Sequence, residues 1–176
     1  MHSNEIAAAT APMQVALGTR AGIDMAILTA RAALELDPHL VLVSIDGIGA
    51  FDHVYRAAML ARLDKLPAAR SMLPFGELFY GAPSCYLFEA SDGSTRMVYQ
   101  GEGGEQGDAL MPALFALGTD NALKHAATRL EEGEGLIAYL DDVYLLVRRH
   151  RAREMYDVVT NALSEQAGIR LNLGKT

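Results

Sequence analysis

Apolar residues recur at helical spacing over residues 22–36, GIDMAILTARAALEL, where Ile23, Ala26, Ile27, Ala30 and Leu34 form one stripe. Asp37-Pro38 closes that segment, because the residue before a proline is pushed out of the helical region. The period then changes. Residues 40–45, LVLVSI, are a short apolar, β-branched run that predicts a buried strand, with Asp46 at its end. Gly47 and Gly49 break the regularity. Helical spacing returns over 52–66, with Val54, Ala57, Ala58, Leu60 and Ala61 inward, and ends near Pro67. Residues 71–82 predict a helix interrupted by Pro74 and Gly76. Residues 84–90 and 95–100 flank the turn Ser91-Asp92-Gly93-Ser94 and predict a hairpin. A loop rich in glycine and acid follows at 101–108, then a helix over about 110–129. Residues 136–147, LIAYLDDVYLLV, are two strand-like runs around Asp141-Asp142. A last helix over 151–167 stops at Gly168, and the chain ends in IRLNLGKT. This order predicts an α+β fold with an antiparallel sheet. The Ala-rich residues 1–13 read as an N-terminal tail, a frayed helix or a linker.

With 176 residues, 51% of them hydrophobic, there is material for one core and one domain. No apolar run reaches the ~18 residues a membrane span needs, so no membrane partner is expected. The start lacks the basic and apolar regions of a signal peptide. Cys85 is the only cysteine, which rules out an internal disulfide and a cysteine-based zinc site. A lone cysteine fits a reducing compartment, so an intracellular location is expected, with the nucleus as one candidate. The apolar neighbours in SCYLF predict that Cys85 is buried. A net charge of −7 argues against a binder of the basic-patch kind. It leaves room for an enzyme whose acidic centre binds cations. Positive charge gathers at Arg148, Arg149, His150, Arg151 and Arg153, either a solvated helix start or a phosphate-facing cluster.

Adjacent aspartates between apolar strands need an explanation, since aspartate is depleted in strands and rarely buried unpaired. A turn is the simplest one, yet LIAYLDDVYLLV has no glycine or asparagine at its tip. Either the aspartates sit on a strained tip or a cation neutralises them. Asp46, also at a strand end, lies 95 positions before Asp141. Two such sites can converge on neighbouring strands. Hard oxygen ligands suit Mg²⁺ or Mn²⁺, and paired metals ~3.5–4 Å apart can clamp a phosphoryl displacement. Spacing alone leaves ordinary turn aspartates open as well.

Longer motifs carry a resemblance. YLDD at 139–142 resembles the YxDD box of reverse transcriptases. IDGIGAFD at 45–52, QGDALMPALF at 106–115 and LNLGKT at 171–176 resemble further motifs of that family, in its order. QVALGTRAGIDMAIL at 14–28 is similar to the finger segment before the palm. The likeness is to retrotransposon or group II intron-type enzymes. It implies a polymerase palm, an antiparallel sheet with helices on one face, with partial fingers over 14–176. It implies Asp46, Asp141 and Asp142 as catalytic metal ligands for Mg²⁺ or Mn²⁺. Phe51 falls where the family keeps an aromatic beneath the nucleotide sugar, and Gln106, Gly107 and Lys175 fall at nucleotide-binding positions. RNA template, DNA primer and dNTP are the implied partners.

Plainer roles compete for some of these residues. Asp52 and Asp108 suit helix caps, and Phe51 suits core. The second motif carries Ala109 and Met111 where the family has proline and serine, with Glu102 and Glu105 nearby. The chain ends at Lys175-Thr176 with no thumb following, so a fragment is expected. Two readings stand: an RNA-directed DNA polymerase domain, or a non-catalytic palm remnant acting at most as a binding module.

Overall fold

In the computed structural model, residues 3–105 and 107–171 are described. Helix α1 spans Ser3–Thr10 and α2 spans Gly22–Leu36. Strand β1 (Leu40–Ile45) leads into a short α3 (Ala50–His53) and then α4 (Arg56–Asp64). A 3-10 turn at Arg70–Met72 opens α5 (Leu73–Tyr80). Strands β2 (Ser84–Glu89) and β3 (Thr95–Gln100) form an isolated antiparallel hairpin. Helix α6 (Met111–Ala127) precedes β4 (Gly135–Tyr139), β5 (Asp142–Arg148) and α7 (Ala152–Ala167). The α+β fold with antiparallel pairing is as the patterning predicts.

The main sheet has the order β1-β5-β4, all antiparallel. β5 is central, and Val143, Leu145 and Val147 on its inner face are buried at 3% exposure or less. Helices α6 and α7 pack on each other and cover this face, with Phe115, Leu117, Met155 and Val159 inward. Burying these apolar side chains, each worth roughly 1.5–3 kcal/mol, is the main force holding the layer together. α2 leans over the opposite face and leaves an open apolar groove against Leu42 and Tyr144.

Several expectations change. Residues 3–10 form a helix against α6, with Ile6 in the core, so the boundary drawn at residue 13 falls inside the packed unit. In α2 only the small residues of the stripe, Ala26 and Ala30, are buried, while Ile23 and Ile27 line the groove. The helix expected over 52–66 breaks at Val54-Tyr55, where both residues leave helical geometry. The break resets its phase, so Arg56, Met59 and Leu63 point inward in place of Ala57 and Ala61. Cys85 is exposed, a correction. Most of its hairpin is exposed, with Leu87, Met97 and Tyr99 also open to solvent.

Candidate active site

Strand pairing brings the carboxylates to one end of the sheet. Ile45 pairs with Val143, so Asp46 and Asp142 each lie one step beyond the last matched pair of β1 and β5. Tyr139 pairs with Asp142 across β4 and β5, which leaves Leu140-Asp141 as a two-residue turn. Hairpin turns of this length take a left-handed first residue, the place for glycine or asparagine. Leu140 occupies it with φ 56°. A bulky residue there costs of order 1–3 kcal/mol and persists only where the surroundings impose it. The strained tip, one of the two explanations open from the sequence, is therefore real. The charges of Asp142 and Asp141 add to burial in raising the Tyr144 hydroxyl above its ordinary pKa. Asp141 itself lines a small pocket with Ile45, Gly47, Phe115 and Val143 on the helix-covered side of the sheet.

The loop of the second motif lies against Phe51. Gly103 donates to the Val54 carbonyl at 2.8 Å and Gly104 donates to the Phe51 carbonyl at 3.0 Å. Gly103 has φ 68°, and a Cβ there would sit 2.2 Å from the Asp52 carbonyl carbon, so only glycine permits the approach. Phe51 is half-buried and stacks on Phe115, with centroids 4.4 Å apart and planes at 10°. Phe51 and Gly107 line one open cavity of about 300 Å³ with Glu105, Asp108 and Met111.

The family model described as reverse transcriptase (RNA-dependent DNA polymerase) matches residues 7–176. The chain belongs to this family. Three solved structures of similar fold are yeast telomerases. Apo telomerase from Candida tropicalis has a TM-score of 0.74 at 12% identity, over 98% of this chain and 34% of that one. The same protein truncated from its C-terminal domain has a TM-score of 0.72 at 13% identity, over 98% and 38%. Telomerase from Candida albicans with a fragment of telomeric RNA has a TM-score of 0.68 at 12% identity, over 98% and 34%. The chain thus spans about a third of the telomerase chains it matches, and at this identity the likeness is one of fold: the reverse transcriptase palm. No curated protein matches.

Within this reverse transcriptase palm, two residues that sequence reasoning passed over hold the second-motif loop. Arg56 is buried at 4% exposure. Its guanidinium donates to the Gly103 carbonyl at 2.8 Å, the Ala82 carbonyl at 2.7 Å and the Ser84 hydroxyl at 2.9 Å, and stands over the Tyr80 ring. Tyr80 donates its hydroxyl to Asp108, and its pKa is pushed up to about 12, first by burial and then by that bond. Nothing in residue type alone marks Arg56 or Tyr80. The signal lies in the loop, where a Gly-rich strap needs an outside donor for its carbonyls. Asp108 Oδ1 accepts from the Leu110 amide and so caps the entry to α6. For α4 the cap is Glu102, which accepts from the Arg56 amide at 2.7 Å. That is the role the sequence suggested for Asp52, which lies within α3.

The basic cluster divides. Arg148 pairs with Asp37, Arg153 with Asp157, and Arg151 is buried against Glu134, leaving Arg149 and His150 exposed at the far end of the sheet from Asp46. Gln106 and Lys175 lie outside the described residues. Among the described residues no group of three or more His, Cys, Asp or Glu side chains is arranged to hold a metal ion. What the sheet end offers is hard carboxylate oxygen on two neighbouring strands. That fits Mg²⁺, which takes one or two carboxylates and completes its shell with water and substrate phosphates. No helix among the described residues is long and apolar enough to cross a membrane.

Proposed function

We propose that this domain carries out RNA-directed DNA synthesis, adding a dNTP to a primer 3′-OH on an RNA template. The observation that carries this is the convergence of Asp46 with the Asp141-Asp142 turn at one end of β1 and β5. In the proposal Asp46, Asp141 and Asp142 hold the divalent cations, Mg²⁺ or Mn²⁺. Bound there, the cations would lower the pKa of the primer hydroxyl and neutralise charge on the triphosphate. Asp46 follows β1, Asp142 begins β5 and Asp141 lies in the constrained turn, so the backbone beneath all three is fixed by the sheet. Phe51 limits room beneath the sugar, and Glu105, Gly107 and Asp108 line the same cavity. The bond formed joins the primer 3′-oxygen to the α-phosphorus, and pyrophosphate leaves. Gln106 and Lys175 are assigned to nucleotide binding on their motifs. The motifs also support a retrotransposon or group II intron-type origin, and intracellular, nuclear work goes with that origin.

Two measurements test the reading. Calorimetry should show weak Mn²⁺ binding that Asp141→Asn reduces, and primer extension on an RNA template should require Asp141. A folded chain that extends no primer and titrates Mn²⁺ identically with and without Asp141 is the non-catalytic remnant.

A further inference from the structure

We propose that Gln14 is a positioning residue for the carboxylate turn: its side-chain amide grips the backbone of Leu140 and holds the left-handed geometry that presents Asp141 and Asp142. This deepens the metal-site reading above and rests on it. Gln14 lies in the segment between α1 and α2 and is 3% exposed. Its own backbone is fixed against β4 from both sides. The Ala138 amide donates to the Met13 carbonyl at 2.8 Å, and the Val15 amide donates to the Ala138 carbonyl at 2.9 Å. From there the side chain reaches the turn. Gln14 Oε1 accepts from the Leu140 amide at 2.8 Å and from the Ala16 amide at 3.2 Å, while Nε2 lies 3.5 Å from the Leu140 carbonyl.

The chemistry of the grip is specific. In a two-residue hairpin loop the cross-strand pair is the flanking one, here Tyr139 with Asp142, so the Leu140 amide and carbonyl have no partner within the hairpin. A carboxamide offers an acceptor and a donor side by side and meets both. Glutamate would lose the donor and bring a negative charge toward Asp141 and Asp142. Asparagine would fall about 1.5 Å short, one carbon–carbon bond. Leu140 lacks the conformational freedom that lets glycine fill such a position unaided. The contact joins residues 126 positions apart.

Four chains decide it: wild type, Gln14→Met, Leu140→Gly and the double variant. Gln14→Met keeps the side chain's length and removes its amide. Exchange of the residue-140 amide, Mn²⁺ calorimetry and thermal unfolding are read on each. In Gln14→Met the Leu140 amide should exchange at least about tenfold faster while the Val143–Val147 amides keep their protection. Mn²⁺ affinity should fall by about fivefold or more, of the order that supporting contacts to metal ligands carry. Adding Leu140→Gly should restore most of that affinity, because glycine takes the turn without help, and should leave exchange of the residue-140 amide fast. Unchanged exchange in Gln14→Met overturns the proposal. So does lost affinity that Leu140→Gly does not recover. A Gln14→Met chain that fails to fold supports the proposal if Leu140→Gly rescues it, and sinks it if the double variant stays unfolded, since Gln14 then merely packs the segment onto β4. A folded wild type that binds no Mn²⁺ removes the metal reading, and the exchange measurement still decides the grip.

Discussion

Replacing Arg56 with alanine should destabilise the domain by about 3–5 kcal/mol. Each hydrogen bond from a charged donor is worth roughly 1.5–3 kcal/mol, and the Arg56 side chain makes bonds to Gly103, Ala82 and Ser84 at 2.7–2.9 Å. The gross loss is therefore about 4.5–9 kcal/mol. Two terms reduce it. The variant recovers the desolvation cost of a buried guanidinium, and water can enter to satisfy the carbonyls of Ala82 and Gly103. Lysine should restore part of the loss, because one ammonium cannot span the fork that a guanidinium makes. Urea unfolding followed by circular dichroism measures the change. With a slope of about 2 kcal/mol/M the midpoint should drop by roughly 1.5–2.5 M at unchanged slope. A Glu-specific protease supplies an independent readout. Residues 102 and 105 lie in the strap that Arg56 anchors, so Arg56→Ala should be cut there well before global unfolding. A loss below about 1 kcal/mol, with the strap still resistant, would refute the idea that Arg56 carries the loop.

Three further outcomes are expected. Burial and then the bond to Asp108 raise Tyr80, so its contribution to stability is fully present below pH 10 and lost as pH rises through about 12; absorbance at 295 nm should show a tyrosine titrating near pH 12 that Tyr80→Phe removes. Phe51→Val removes the stacking on Phe115 and should cost about 1–3 kcal/mol in thermal or urea unfolding; if Phe51 also gates the sugar, an active preparation should gain in kcat/KM for ribonucleotides relative to deoxynucleotides, whereas an unchanged ratio makes it core only. Asp120, 1% exposed, accepts from Arg62 at 2.7 Å and Lys124 at 2.8 Å, both of which also reach the Ala9 carbonyl; Asp120→Ala should cost about 3–5 kcal/mol, with α1 amides losing protection first in hydrogen exchange.

Elements whose burial follows directly from local pattern were legible along the chain. The run LVLVSI is a strand because β-branched residues suit a pleated surface, although as an edge strand it buries only Leu40 and Ile45, and α7 stops at Gly168 because its φ of 75° suits glycine. The pairing of Asp46 with Asp141-Asp142 was legible as motif, and the missing glycine in LIAYLDDVYLLV left a strained tip as one of two explanations. Burial that depends on a second layer was not legible. Cys85 sits in an apolar strand like any core strand, yet its hairpin is a separate two-stranded sheet whose residues are mostly exposed, Cys85 among them. The phase of α4 was lost because a break at Val54-Tyr55 turns the helix, and periodicity carries no memory across a break. Arg56 and Gln14 were beyond reach for a different reason. Their partners are backbone groups 47 and 126 positions away, and a backbone carbonyl or amide has no letter in the sequence. Side-chain chemistry is written along the chain; which main-chain groups are left without a partner, and which side chain reaches them, is decided only when the chain folds on itself.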